Sequence, residues 1–177
     1  MSDGASLAAG ELAGRTALVA GGTRGIGRAV ALELAAGGAQ VAIHGRSVEG
    51  AADVAGMLAA DGRHAGTFLA DLTRPEAAAS LAIRVTTALP ELDTVVLVAG
   101  ADVLTGAAAG WPFEQKLEAL LQIDVTATLI LARALGRAMK ERGQGVVMTV
   151  GWDQAAVGME GDSGELFAAA KGAVMAF

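Results

Sequence analysis

The run Thr16-Ala-Leu-Val-Ala20 passes straight into Gly21, and glycine returns at 25 and 27 as an apolar pattern of helical period begins. The short apolar run suits a buried strand, and the first glycine suits a sharp turn out of it. Ile26, Val30 and Leu34, with Arg28 and Glu33 between them, put one face of a helix toward a core. A strand, a glycine turn and a helix in so few residues require the chain to cross back and lay a second, parallel strand beside the first, by a right-handed connection.

The remaining sequence repeats that unit. Apolar runs at 40–44, 66–70, 94–98 and 146–150 read as four further strands. Between them lie helical patterns: one capped by Ser47 and stopped by Asp61-Gly62, one opened by Pro75 and running to Leu89, and a long one over 112–142 with a break near Asp124. A last helix is expected over 164–177, with Asp162 and Glu165 at capping-box spacing. Residues 1–13 read as a loose arm and 99–110 as a Gly/Ala-rich loop. Strands alternating with helices predict one α/β domain over 1–177: a Rossmann-type doubly wound parallel sheet of about five strands in order 3-2-1-4-5.

Composition narrows the function. Hydrophobic residues make up 53% of the chain, enough for a sheet covered on both faces. A formal charge of −6 excludes the basic face that nucleic-acid phosphates need. With no cysteine there is no disulfide, thiolate metal site or cysteine nucleophile, and no metal is expected. The N-terminus has no signal-peptide pattern, and no apolar run reads as a membrane span, so the expectation is a cytoplasmic protein without a membrane partner.

Glycines at 21, 25 and 27 after a strand are what a pyrophosphate requires: a tight turn, close approach of the backbone, and a helix N-terminus whose free N–H groups carry partial positive charge. Strand two ends His44-Gly45-Arg46-Ser47, without the acid that a ribose 2′-hydroxyl would call for. Arg24, Arg46 and Ser47 suit a 2′-phosphate instead, so NADP(H) is expected over NAD(H).

On these residues the chain resembles the short-chain dehydrogenase/reductase family from about Leu12 onward. Gly21-Gly22-Thr23-Arg24-Gly25-Ile26-Gly27 is similar to its glycine motif, although Ala20 stands where Thr is usual. Asp71-Leu72-Thr73 resembles its adenine-binding Asp. Ala99-Gly100 resembles the tail of its Asn-Ala-Gly motif, with Val98 replacing the Asn. Phe167-Ala-Ala-Ala-Lys171 resembles Tyr-x-x-x-Lys with Phe in place of Tyr. The resemblance implies cofactor contacts at Gly21, Thr23, Arg24, Gly25, Ile26, Gly27, Arg46, Ser47, Asp71, Leu72, Ala99, Gly100 and Lys171. It implies hydride transfer to a small carbonyl or from an alcohol.

The catalytic set departs from the pattern. Lys171 is kept. Asp124 takes the position of the helix Asn, and Gly151-Trp152-Asp153-Gln154 lacks the hydroxyl of the Ser. The chain contains no tyrosine, so no shift of alignment supplies a phenol. Catalysis is therefore expected to be weakened or altered. Asp153, Glu160, Asp162 and Glu165 either replace the lost acid or cap the last helix and face water. Trp152 either walls a pocket or covers the edge of strand five. The family's last strands and substrate-covering loop have no counterpart here, so the alternative is a non-catalytic cofactor-binding or partner-binding module, as a truncated form or a fragment. The family's dimer contact implies a homo-oligomer through the Leu117–Leu121 and Ile130–Leu135 runs, which equally suit packing on the sheet.

Overall fold

The computed structural model describes residues 8 and 10–177. Most of the segment read as a loose arm lies outside them. Within the described part, Leu12 donates its N–H to Gly37 O at 2.8 Å and packs against the core.

Five strands, β1 (Thr16–Ala20), β2 (Gln40–Gly45), β3 (His64–Leu69), β4 (Thr94–Leu97) and β5 (Val146–Thr149), form one all-parallel sheet in order β3-β2-β1-β4-β5. Six helices alternate with them: α1 (Gly25–Ala36), α2 (Val48–Ala60), α3 (Ala77–Ala88), α4 (Phe113–Leu120), α5 (Thr128–Arg142) and α6 (Asp162–Ala176). The period-two alternation of strand side chains divides the core into two layers. Leu18, Ala42, Val95 and Leu97 face α3 and α5, where Leu81, Val85, Leu131 and Leu135 meet them. Val19, Val41, Ile43 and Val96 face α1 and α2, against Ala31, Ala35, Val54 and Leu58. The expected doubly wound sheet is thus the one observed, with both faces of its central strands covered.

The boundaries differ where tertiary contacts decide them. Ser47 caps α2 as expected, accepting from Gly50 N–H at 3.1 Å. Pro75, by contrast, sits in the turn before α3, which begins two residues later. The capping box at Asp162 and Glu165 does not form. Gly161 is the N-cap, with φ +88°, and Asp162 turns instead toward Lys116. The long helix does not break at Asp124. Residues 121–127 widen into a π-helical turn between α4 and α5, and such turns recur at functional sites. This continuous helix, Phe113–Arg142, is long and apolar enough by composition to cross a membrane, contrary to the sequence expectation. Here Leu120, Ala127, Leu131, Leu135 and Met139 bury its inner face, as in a core helix.

β1 connects to β2 on one side of it while β4 lies on the other, so the direction of winding reverses between β1 and β4. In such sheets ligands bind in the crevice beyond the carboxyl ends of the strands at that reversal. A third apolar cluster, Val103, Leu120, Leu166 and Ala170, ties the loop after β4 to α4 and α6.

Candidate cofactor and catalytic site

Three glycines shape the crevice, each for a separate reason. Gly21 has φ +89°, and a Cβ there would stand 2.7 Å from the Ala99 backbone. A Cβ on Gly27 would stand 2.1 Å from Gly21 O, so only glycine lets α1 start this close to β1. Gly25 has φ +51° but nothing within 4 Å of where a Cβ would lie. The first two glycines are spent on packing, and the third opens onto free space. There α1 begins with no side-chain cap and no acid in its first turn, leaving its N–H groups for an anion. Ile26, in that turn, is 67% exposed, an apolar surface at the mouth of the crevice.

The rim follows the expected residues. Thr23 lies against Gly45, where a Cβ would come within 2.5 Å of its Cγ2. Arg24 and Arg46 are exposed. The Asp71 carboxylate accepts from Thr73 N–H at 3.1 Å. That bond and one from the Thr73 hydroxyl, with Arg46 and Arg74 nearby, hold it below the usual carboxylate range. Asp102 is likewise lowered, first by the Thr105 hydroxyl and then by backbone N–H groups and Arg24. Ser47 already accepts a helix-cap bond, and Leu72 is buried in the core.

The residues after β4 lead to the corner where the π-helical turn meets α6. Ala99 packs on Gly21, and Gly100 lies against Asp124, whose Oδ1 would be 3.0 Å from a Cβ there. Asp124 is 2% exposed. Its Oδ2 accepts from Ala101 N–H at 2.8 Å, and its Oδ1 lies 3.0 Å from Lys171 Nζ. Contacts therefore run from Gly21 through Ala99 and Gly100 to Asp124 and Lys171, bringing the ion pair to the end of the glycine loop. One helical turn before Lys171, Phe167 stands edge-on to Trp152, with ring centroids 6.4 Å apart and planes at 72°. Of the four acids near α6, the Asp153 carboxylate accepts from Gln154 N–H at 3.0 Å, and Asp162 lies 3.9 Å from Lys116 Nζ.

Two groups escaped the sequence reading. Lys116 is 7% exposed, and its ammonium joins α4 to the start of α6 through Asp162. His44 is buried, with Nδ1 lacking a partner. Neither carries a local signal, because each environment is made by residues far away in sequence.

The family model described as short chain dehydrogenase matches residues 15–177. The chain is 31% identical over 164 residues to the 2,3-dihydro-2,3-dihydroxybenzoate dehydrogenase of Bacillus subtilis, covering 93% of this chain and 61% of that protein. Among solved structures it is similar to a metagenomic short-chain oxidoreductase in complex with NADP, with TM-score 0.81 and 28% identity over 94% of this chain and 74% of the other. It is also similar to a short chain dehydrogenase from Burkholderia cenocepacia in complex with NADP, with TM-score 0.75 and 34% identity over 94% of this chain and 66% of the other.

Proposed function

Since the chain belongs to the short-chain dehydrogenase/reductase family, we propose that it binds NADP(H) beyond β1 and β4 and exchanges hydride with a small carbonyl or alcohol, its proton chemistry weakened. The observation that carries this is the open face at Gly25. The glycines on either side are filled by the chain itself, while this one faces space beside the uncapped start of α1. A pyrophosphate fits that cradle, and Ile26 is the apolar surface it would cover.

Arg24, Arg46 and Ser47 surround the position of a 2′-phosphate, and no acid stands at the end of β2 to prefer a free ribose hydroxyl. The two solved relatives with NADP bound agree with that choice. Asp71 takes the adenine side, Ala99 and Gly100 line the middle, and Lys171 reaches the second ribose. Its ammonium has three donors, of which Asp124 uses one. When bound, the nicotinamide gives or takes the hydride. This chain must then move a proton at the substrate oxygen with neither phenol nor serine. General acid help is worth about 10²–10⁴-fold, which sets the size of the loss.

The test is titration of the purified chain with NADPH, followed by the fluorescence of Trp111, Trp152 and the nicotinamide. Saturable binding is expected, abolished by Gly25→Asp, weakened about tenfold by Arg46→Ala, and weaker for NADH. A folded chain that ignores NADPH overturns the proposal.

A second reading has its own observation. Phe167, where the resemblance implies the Tyr, packs on Trp152 from the 151–154 stretch where it implies the Ser, and such an aromatic pair suits a non-catalytic cofactor-binding module. NADPH consumption with any of a panel of small aldehydes and ketones, lost in Lys171→Ala, would exclude that reading. Both readings take the chain as a single cytoplasmic dinucleotide-binding domain; of the two runs implied for self-association, Leu120, Leu131 and Leu135 are buried in the core, so a homo-oligomer would have to use exposed positions such as Leu121. Sedimentation at several concentrations checks the association.

A further inference from the structure

We propose that neutral His44 is a positioning residue for the cofactor cradle, joining the glycine loop to the Asp71 corner, and that protonating its enclosed ring destabilises that joint. The cradle's purpose rests on the function proposed above; the coupling itself is a matter of bonds within the chain. His44 sits near the end of β2, 2% exposed. Its backbone carbonyl accepts from both Gly21 N–H and Gly22 N–H at 3.1 Å. Its ring Nε2 donates to Ala70 O at 3.1 Å, immediately before Asp71. The next residue repeats the pattern: Gly45 packs on Thr23 of the glycine loop while its carbonyl accepts from Ala70 N–H at 3.0 Å. One short stretch of β2 thus holds the phosphate loop on one side and the adenine corner on the other.

The ring is built for the neutral form. A carbonyl can only accept, so Nε2 carries the hydrogen and Nδ1 is left as a bare acceptor, enclosed and without a partner among the described residues. Protonation would place a second N–H there with nothing to receive it, together with a buried charge. Among the described residues no neighbouring carboxylate compensates. β1 and β3 set Ala20 and Phe68 beside His44. From α3, Arg84 donates to Leu69 O at 2.8 Å and brings a second positive charge. Asp71, in the loop after β3, is bound to Thr73 with Arg46 and Arg74 nearby. Gln122, from the π-helical turn, is neutral and donates to Leu72 O, and Asp124 beyond it is paired with Lys171. Burial accordingly lowers the affinity of His44 for a proton, the bond to Ala70 opposes this in part, and Arg84 adds to it.

The sign follows from linkage. Above the ordinary histidine value, about 6.5, His44 is neutral whether the chain is folded or unfolded, and pH has no effect through it. Below it, the unfolded chain takes a proton that the folded chain refuses, so stability falls with pH until the folded ring also protonates.

The experiment compares wild type with His44→Gln between pH 8 and pH 5, by thermal unfolding without ligand and by NADPH titration. The glutamine amide can reproduce the donor to Ala70 O and does not titrate. Wild type is expected to lose several degrees more in Tm than the variant below about pH 6.5. Its Kd for NADPH is expected to rise about fivefold more over the same interval. His64→Asn, which removes the chain's other histidine, keeps the acid loss. Should His44→Gln fail to fold, NMR of wild type decides instead. The His44 ring titrates below the ordinary histidine value, and the Gly21 and Gly22 amides exchange faster as it does. An unchanged acid slope in His44→Gln, or a ring that titrates at the ordinary value without touching those amides, overturns the proposal. If NADPH fails to bind even at pH 8, the cofactor reading falls, while the unfolding series still decides the role of His44.

Discussion

Lys171 Nζ lies 3.0 Å from Oδ1 of Asp124, and the second oxygen of the same carboxylate holds Ala101 N–H at 2.8 Å. The π-helical turn, the loop after β4 and α6 therefore meet at one buried anion. Taking one member from a buried pair leaves the other charge uncompensated, at a cost of about 3–5 kcal/mol. Lys171→Met should lower the unfolding free energy by that amount in urea titration. Asp124→Asn keeps an acceptor for Ala101 N–H and should cost less, about 1–3 kcal/mol. The double variant Asp124→Asn with Lys171→Met, which keeps an acceptor for Ala101 N–H, should lose clearly less than the sum of the two single changes. Additive losses would mean that the two side chains do not share an interaction.

The glycine loop makes an opposite pair of predictions for two substitutions of the same size. Gly27→Ala drives a methyl to 2.1 Å from Gly21 O, a backbone atom that cannot step aside, and should leave little folded protein. Gly25→Ala meets no atom within 4 Å and bears only the left-handed backbone at φ +51°. It should fold, at a cost of about 1–2 kcal/mol, and lose NADPH affinity because the methyl occupies the anion's approach. Circular dichroism and urea melts of both variants settle the contrast. A Gly25→Ala chain that binds NADPH as wild type does would move the phosphates elsewhere.

How much of this was legible in the sequence depends on how far apart the determining residues lie. The glycine loop and the Ser47 cap come from spacing within one βαβ unit and the strand order from repetition of that unit along the chain, and the structure places all three as read. The irregularity expected at Asp124 is present, but as a widened turn in a continuous helix rather than a break. The burial of Leu120 and Ala127 on either side holds the helix together there. The capping box failed because Asp162 is drawn to Lys116, 46 residues earlier in the chain, which no local pattern encodes. The unpartnered nitrogen of His44 is equally invisible. In sequence it is one residue of an apolar strand, and only the packing of α3 and the β3–α3 loop makes its ring titration consequential.

Asp71 gives a second, weaker dependence on pH. Its folded carboxyl is held below the ordinary value by Thr73 and then by Arg46 and Arg74. Its contribution is therefore present above the unfolded carboxylate range, near pH 4, and disappears as pH falls through the lowered folded value. The group is largely open to solvent, so the effect is small. Asp71→Asn should lower Tm slightly at pH 7 and flatten the acid limb below pH 4. Added salt should screen the arginine part and leave the Thr73 bonds. A variant whose acid limb matches that of wild type would show that the turn holds without the charge.

The aromatic pair makes the sharpest demand on the proposed chemistry. Phe167 lies one helical turn before Lys171 and meets Trp152 edge-on, and the proposed function takes the two rings to stand where the resemblance implies hydroxyls. Phe167→Tyr adds a single oxygen one helical turn before Lys171. Trp152→Ser removes the ring that would crowd a substrate and supplies the second hydroxyl. If the cradle is intact and only the proton step is impaired, the double variant should raise NADPH-dependent reduction of small aldehydes and ketones by about 10²–10⁴-fold over wild type, the range a positioned acid supplies. The increase should show in kcat with the NADPH Kd unchanged, because the phosphate loop itself is left as it is. A double variant that folds and binds NADPH with wild-type affinity, yet gains no turnover, would place the deficit beyond these two side chains. It would favour the cofactor-binding module over the weakened enzyme.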